Sequence, residues 1–100
     1  MPIEEPKYKF VRSLVAGAPE GSGIYALWED GEMIYVGRAN GMTIKEALLR
    51  HLGQGHCPCT ARATHYSWEL SLRPATREFE VLQAFDARHQ RLPRCNEEAA

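Results

Sequence analysis

Two tyrosines ten residues apart, a glutamate inside an apolar stripe, and a short run of His and Cys are the residues of this chain that could do chemistry. The tyrosines sit in Gly23-Ile24-Tyr25 and Tyr35-Val36-Gly37. A free tyrosine has a pKa of ~10 and is a poor base at neutral pH. A nearby metal or arginine would have to favour the phenolate. The plain role for two strand tyrosines is core packing with a solvated hydroxyl. Glu78 and Glu80 compete for the role of an inward-facing acid. With Glu78 set at about 0° on a helix, Leu82 falls near 40°, Phe85 near 340°, Phe79 near 100° and Glu80 near 200°. Glu78 is then in the middle of the apolar face and Glu80 faces solvent. A carboxylate inside an apolar stripe needs a partner or a metal. The run His56-Cys57-Pro58-Cys59 could be half of a zinc site, completed by Cys95 or His65. Its Cys-x-Cys spacing is not the usual Cys-x₂-Cys, and a polar loop with free thiols is the simpler reading.

The elements that must carry these residues follow from pattern. Gly23 to Trp28 and Met33 to Gly37 read as two strands joined around Asp30-Gly31, a strong hairpin signal. A two-residue turn would pair Tyr25 with Val36 and send the two phenols to opposite faces. A three-residue loop, Glu29-Asp30-Gly31, places Tyr25 opposite Tyr35 and gathers Ile24, Ala26, Trp28, Ile34 and Val36 on the other face. The longer loop, or an equivalent bulge, is expected. Thr43 and Glu46 form a capping box, with a helix through Ile44, Ala47, Leu48 and Leu52 that stops at Gly53. Residues 53–64 read as a polar loop. A third strand spans His65 to Leu72, with Tyr66, Trp68, Leu70 and Leu72 on one face. After Pro74 a second helix runs from about Ala75 to Arg88, with Phe79, Leu82 and Phe85 inward. Residues 1–7 read as a loose arm, residues 8–15 as an apolar lead-in of uncertain type, and Leu92 to Asn96 as an irregular tail. The order β-β-α-β-α describes an α+β domain with a three-stranded antiparallel sheet flanked by helices.

The paired triplets Gly23-Ile24-Tyr25 and Tyr35-Val36-Gly37 are similar to the motifs of the GIY-YIG nucleases, with Val for the central Ile of the second. The later helix, strand, second helix with an acid, and late Asn match the family's order from Gly23 to Asn96. The resemblance implies a metal-dependent endonuclease hydrolysing DNA phosphodiester bonds. It implies that Tyr35 takes a proton from the attacking water, with Tyr25 positioning or sharing that role. It implies Glu78 as the ligand of one divalent ion, and one carboxylate plus water and phosphate oxygens suits Mg²⁺ or Mn²⁺. The family's first-helix arginine falls on Ala47; Arg50, about one turn on, or Arg38 could replace it. His51 would assist phosphate binding, Gly37 would allow close backbone approach to substrate, and Asn96 would fix the site's geometry by hydrogen bonds. The displaced arginine leaves a second reading open: a catalytically weak or inactive module on the same scaffold, binding nucleic acid or protein.

The bulk properties bound these readings. One hundred residues make one domain, spanning 1–100 with the motif-bearing core at about 22–96. A net charge of −1 is unusual for a nucleic-acid binder, but nine of the 12 basic residues are arginine. Glu4, Glu5, Glu97 and Glu98 lie at the ends, so the middle is mildly basic. A surface this small and neutral suggests a homodimer or a partner protein. Three cysteines are an odd set, which argues against a disulfide framework. No secretory signal or apolar span is visible, so a cytoplasmic location is expected.

Overall fold

A computed structural model describes residues 3–54 and 58–99. The sheet has four strands, not three: β1 (Tyr8–Lys9), β2 (Gly23–Glu29), β3 (Glu32–Ala39) and β4 (His65–Leu70). They run antiparallel in the order β1-β4-β2-β3. The extra strand, β1, pairs Tyr8 with Tyr66 and Lys9 with His65. Two residues are too few to show a period of two in a sequence. The helices are α1 (Arg12–Val15), α2 (Ile44–Gln54), α3 (Pro74–His89) and α4 (Arg94–Ala99), with a 3₁₀ turn at Thr60–Arg62.

The hairpin turns on two residues, so the longer loop is wrong and the bulge is right. Glu29 pairs with Glu32 across Asp30 (φ 50°) and Gly31 (φ 89°), the two positive angles of a type I′ turn. The register then shifts between Leu27 and Trp28: Trp28 faces Met33, but Leu27 faces Tyr35. Ile34 is the inserted residue. It joins the cluster that holds Tyr25 and Leu27, and Met33 takes its expected place beside Ile24, Ala26, Trp28 and Val36. Tyr25 faces Gly37, not Tyr35. Both phenols nevertheless share a face, as diagonal neighbours.

Each face of the sheet carries a core. On one, Ile44, Ala47 and Leu48 of α2 pack on Tyr25, Leu27, Ile34 and Tyr66. The capping box forms as read: Glu46 N–H donates to Thr43 Oγ1 at 3.0 Å and Thr43 N–H to Glu46 Oε1 at 2.9 Å. The helix continues one residue past Gly53. On the other face, Val81 of α3 packs with Ile24, Ala26, Trp28, Met33 and Val36, flanked by Leu82 and Phe85. Phe79 is 64% exposed, against expectation. On the wheel centred on Glu78, Val81 lies near 300° and Phe79 near 100°, so the buried arc is tilted away from Phe79.

The third core strand ends at Leu70, and Leu72 is almost fully exposed. β4 is an inner strand buried on both faces: Tyr66 is buried on one and Ser67, accepting from Trp28 Nε1 at 2.9 Å, on the other. Residues 3–7 are not a loose arm. Ile3 is buried with Trp28 and Val81, and the Lys7 ammonium stands 4.2 Å over the Trp28 ring. The tail is helical from Arg94 and is tied down by a Cys59–Cys95 disulfide, where free thiols were expected.

Candidate active site

The site grows from the hairpin register. Tyr25 lies across from Gly37, and a Cβ on Gly37 would sit 2.5 Å from both Cζ and Oη of Tyr25 and 2.9 Å from Cε2 of Tyr35. Only a glycine leaves room for the phenol to fold over the neighbouring strand. The immediate neighbours of this glycine are therefore the two rings. The ring centroids of Tyr25 and Tyr35 are 6.2 Å apart. From α2, His51 closes the group, with its ring 5.5 Å from Tyr25 and 5.3 Å from Tyr35. Its Nε2 is 2.9 Å from the Tyr25 hydroxyl.

The Tyr25 phenol is shifted by its surroundings. Burial raises its pKa above the ordinary phenol value, and the Tyr35 hydroxyl and the Glu78 carboxylate push the same way; Arg50 pulls weakly against them. The Glu78 and Arg50 charges thus both bear on the Tyr25 hydroxyl, although α2 and α3 cover opposite faces of the sheet. At neutral pH Tyr25 keeps its proton and can donate only one hydrogen bond, to His51 or to Tyr35. That suits a positioning group better than a base.

Glu78, on the first half of α3, is 19% exposed and accepts from Arg38 Nη1 at 3.1 Å. Glu80 is 55% exposed and pairs with Arg77, as a surface acid would. Arg38 is 50% exposed and projects from β3 beside Gly37. Arg50 is exposed, with Nη1 3.7 Å from the Met42 sulfur. Ala47 is buried in the α2 core. Asn96 reaches β3 from α4: its Oδ1 accepts from Val36 N–H and its Nδ2 donates to Val36 C=O, both at 2.9 Å. This clamp occupies the outer edge of the strand that carries Tyr35 and Gly37.

The zinc reading loses two of its candidate ligands. Cys59 and Cys95 are bonded to each other, and His56 and Cys57 lie outside the described residues. No group of three or more His, Cys, Asp or Glu side chains among the described residues could hold a metal. A lone carboxylate such as Glu78 suits a different ion, a hard divalent cation that keeps most of its water.

No family model and no curated protein matches this chain. Among solved structures, two of the GIY-YIG N-terminal endonuclease domain of UvrC from Thermotoga maritima superpose with a TM-score of 0.60, at 19% and 17% identity. Each covers 83% of this chain and 90% of the other. The fold is GIY-YIG-like. Both of those domains are point mutants, tyrosine to phenylalanine, bound to the catalytic divalent cation.

Within this GIY-YIG fold the sequence reading missed three things around the site: the covering of Gly37 by Tyr25, the Arg38–Glu78 pair and the disulfide beside Asn96. Only the first left a sequence signal, a tyrosine and a glycine on paired strands.

The raised pKa of Tyr25 has a measurable consequence. Unfolding releases the phenol to its ordinary pKa near ~10, so above that pH the unfolded state binds fewer protons than the folded one. The contribution is fully present below pH ~10 and is lost as pH rises toward the elevated folded value. Tyr66, whose pKa burial also raises, adds to the same slope. Denaturation midpoints between about pH 9 and 11 are therefore expected to fall, and Tyr25→Phe to remove part of the fall but not all of it. An unchanged slope in the variant would contradict the burial of this hydroxyl.

Proposed function

We propose that this chain is a metal-dependent endonuclease that hydrolyses DNA phosphodiester bonds. The observation that carries this reading is the gathering of Tyr25, Tyr35 and His51 on one face of a GIY-YIG-like fold. Tyr35, half-buried beside Tyr25, takes the proton of the attacking water. Tyr25 stays protonated, held by His51, and steadies the Tyr35 oxygen. Arg50 and Arg38 supply positive charge for the phosphate, and Asn96 keeps the β3 edge fixed. Glu78 would hold one Mg²⁺ or Mn²⁺, which when bound offsets charge on the phosphate and on the departing oxygen. His51 Nε2 contributes to phosphate contact only if it exchanges its bond to Tyr25. No helix among the described residues is long and apolar enough to cross a membrane.

A second reading has its own support. Ala47 fills the core where a catalytic arginine would start, and Arg50 rests against Met42. On that reading the chain binds nucleic acid or protein without cutting. The separating experiment incubates supercoiled plasmid and flapped or branched duplexes with protein in Mg²⁺, in Mn²⁺ and in chelator. Nicking with either ion and none in chelator is the expected result. Intact DNA on every substrate, with binding retained in a gel shift, would sink the hydrolytic reading and leave the second.

A further inference from the structure

We propose that Arg38 and the divalent ion compete for the Glu78 carboxylate, so that Arg38 holds Glu78 before the ion binds and is released toward the substrate phosphate afterwards. This rests on the reading of Glu78 as the metal ligand. Arg38 follows Gly37 directly, on the sheet face that α3 covers, and it meets Glu78 through a single 3.1 Å contact from Nη1 to Oε1. Another Arg–Glu pair on the same face behaves differently. Arg77 grips Glu69 through Nε at 2.6 Å and Nη2 at 3.2 Å, a two-point fork with Glu69 only 11% exposed. That is a structural lock. The Arg38 contact is one-point and its side chain is half in solvent, so it can let go.

A guanidinium and a hard cation both draw on the one negative charge of Glu78, and two positive charges beside one carboxylate repel. Whichever binds weakens the hold of the other. The pair therefore does two things. It keeps the half-buried Glu78 charge partnered, and it holds the guanidinium beside the carboxylate that would bind the ion. Binding of the ion then frees a planar fork suited to phosphate oxygens. Because coupling between two ligands of one group is reciprocal, weakening the arginine strengthens the ion.

The test titrates Mn²⁺ into wild type, Arg38→Gln, Arg50→Gln and Glu78→Gln, reading free Mn²⁺ by electron paramagnetic resonance. Arg38→Gln is expected to bind Mn²⁺ about two- to fivefold more tightly, the scale of an exposed ion pair. Arg50→Gln should change affinity less, and Glu78→Gln should lose the site. Cleavage by Arg38→Gln should fall although the ion binds better. On Mg²⁺ addition to wild type, the Arg38 Nε–H resonance should move toward that of a solvated arginine. Equal tightening in both arginine variants would mean a bulk charge effect and overturn the exchange. So would unchanged or weaker binding in Arg38→Gln. Unaltered binding in Glu78→Gln would instead overturn the assignment of Glu78 itself, and absence of saturable binding in wild type would overturn both.

Discussion

Glu78→Ala is expected to lower metal-dependent cleavage by at least about a hundredfold and toward a thousandfold, while the fold stays intact. The size follows from the chemistry. A bound divalent ion contributes several kcal/mol to charge stabilisation in the transition state, and each ~1.4 kcal/mol is a factor of ten in rate. No second cluster of ligands is present among the described residues to keep the ion in place. The expected effect on stability is small, because Glu78 meets a half-exposed arginine, and such pairs are worth about 0–1 kcal/mol. Glu80→Ala serves as the matched control. It lies two residues away on the same helix, is exposed, and pairs with Arg77. Single-turnover nicking rates and thermal midpoints, measured together, decide the matter. Equal losses in the two variants would mean that helix integrity matters and the carboxylate at Glu78 does not. The same substitution removes one of the charges that raise the Tyr25 pKa, so the alkaline slope of stability should lessen slightly.

Much of this arrangement was legible in local sequence, and the parts that were not have physical causes. The capping box at Thr43 and Glu46 is a contact over three residues, and it forms where it was read. The choice of Glu78 over Glu80 as the inward acid needs only helical geometry, and the exposures of 19% and 55% agree with it. The shared face of Tyr25 and Tyr35 was expected because a common site requires it, and that in turn demands an odd extra residue between them. Where that residue goes was not. A loop of three and a turn of two with a bulge satisfy the same parity, and the choice rests on Ile34 finding a dry place beside Leu27 and Leu48. The two-residue β1 and the six-residue α4 are too short to show periodicity, and both are held by tertiary contacts. Phe79 misled because the buried arc of α3 is set by the sheet beneath it, and Val81 fills it instead. The roles of Arg50 and Arg38 at the site stood open in the sequence because spacing on one element says nothing about what another brings near.

Removing the Cys59–Cys95 bond is expected to cost about 3 kcal/mol of stability and to lower Tm by roughly 12–24 °C. The bond closes a loop between residues 36 apart in sequence. Cross-links over loops of that length remove chain entropy from the unfolded state worth typically 2–4 kcal/mol. For a chain of this size each kcal/mol shifts the midpoint by about 4–8 °C. An odd number of cysteines hid the pair, since nothing local distinguishes Cys57 from Cys59 as the partner of Cys95. Both bonded residues are buried, Cys95 fully, within the cluster that includes Tyr25, Ile34 and Leu48. The consequence reaches the site because Asn96, the next residue, clamps the Val36 backbone from the edge of β3. Loosening α4 would leave those two backbone groups to water and free the strand that bears Tyr35. Thermal unfolding with and without a dithiol reductant, in wild type and in Cys95→Ala, reads this directly. The expected pattern is a reductant-dependent midpoint in wild type and none in the variant, with nicking rates falling alongside the midpoint. A wild-type midpoint that ignores reductant would show that the two sulfurs stand as packed thiols. The stability of α4, and the hold of Asn96 on β3, would then have to come from burial and the clamp alone.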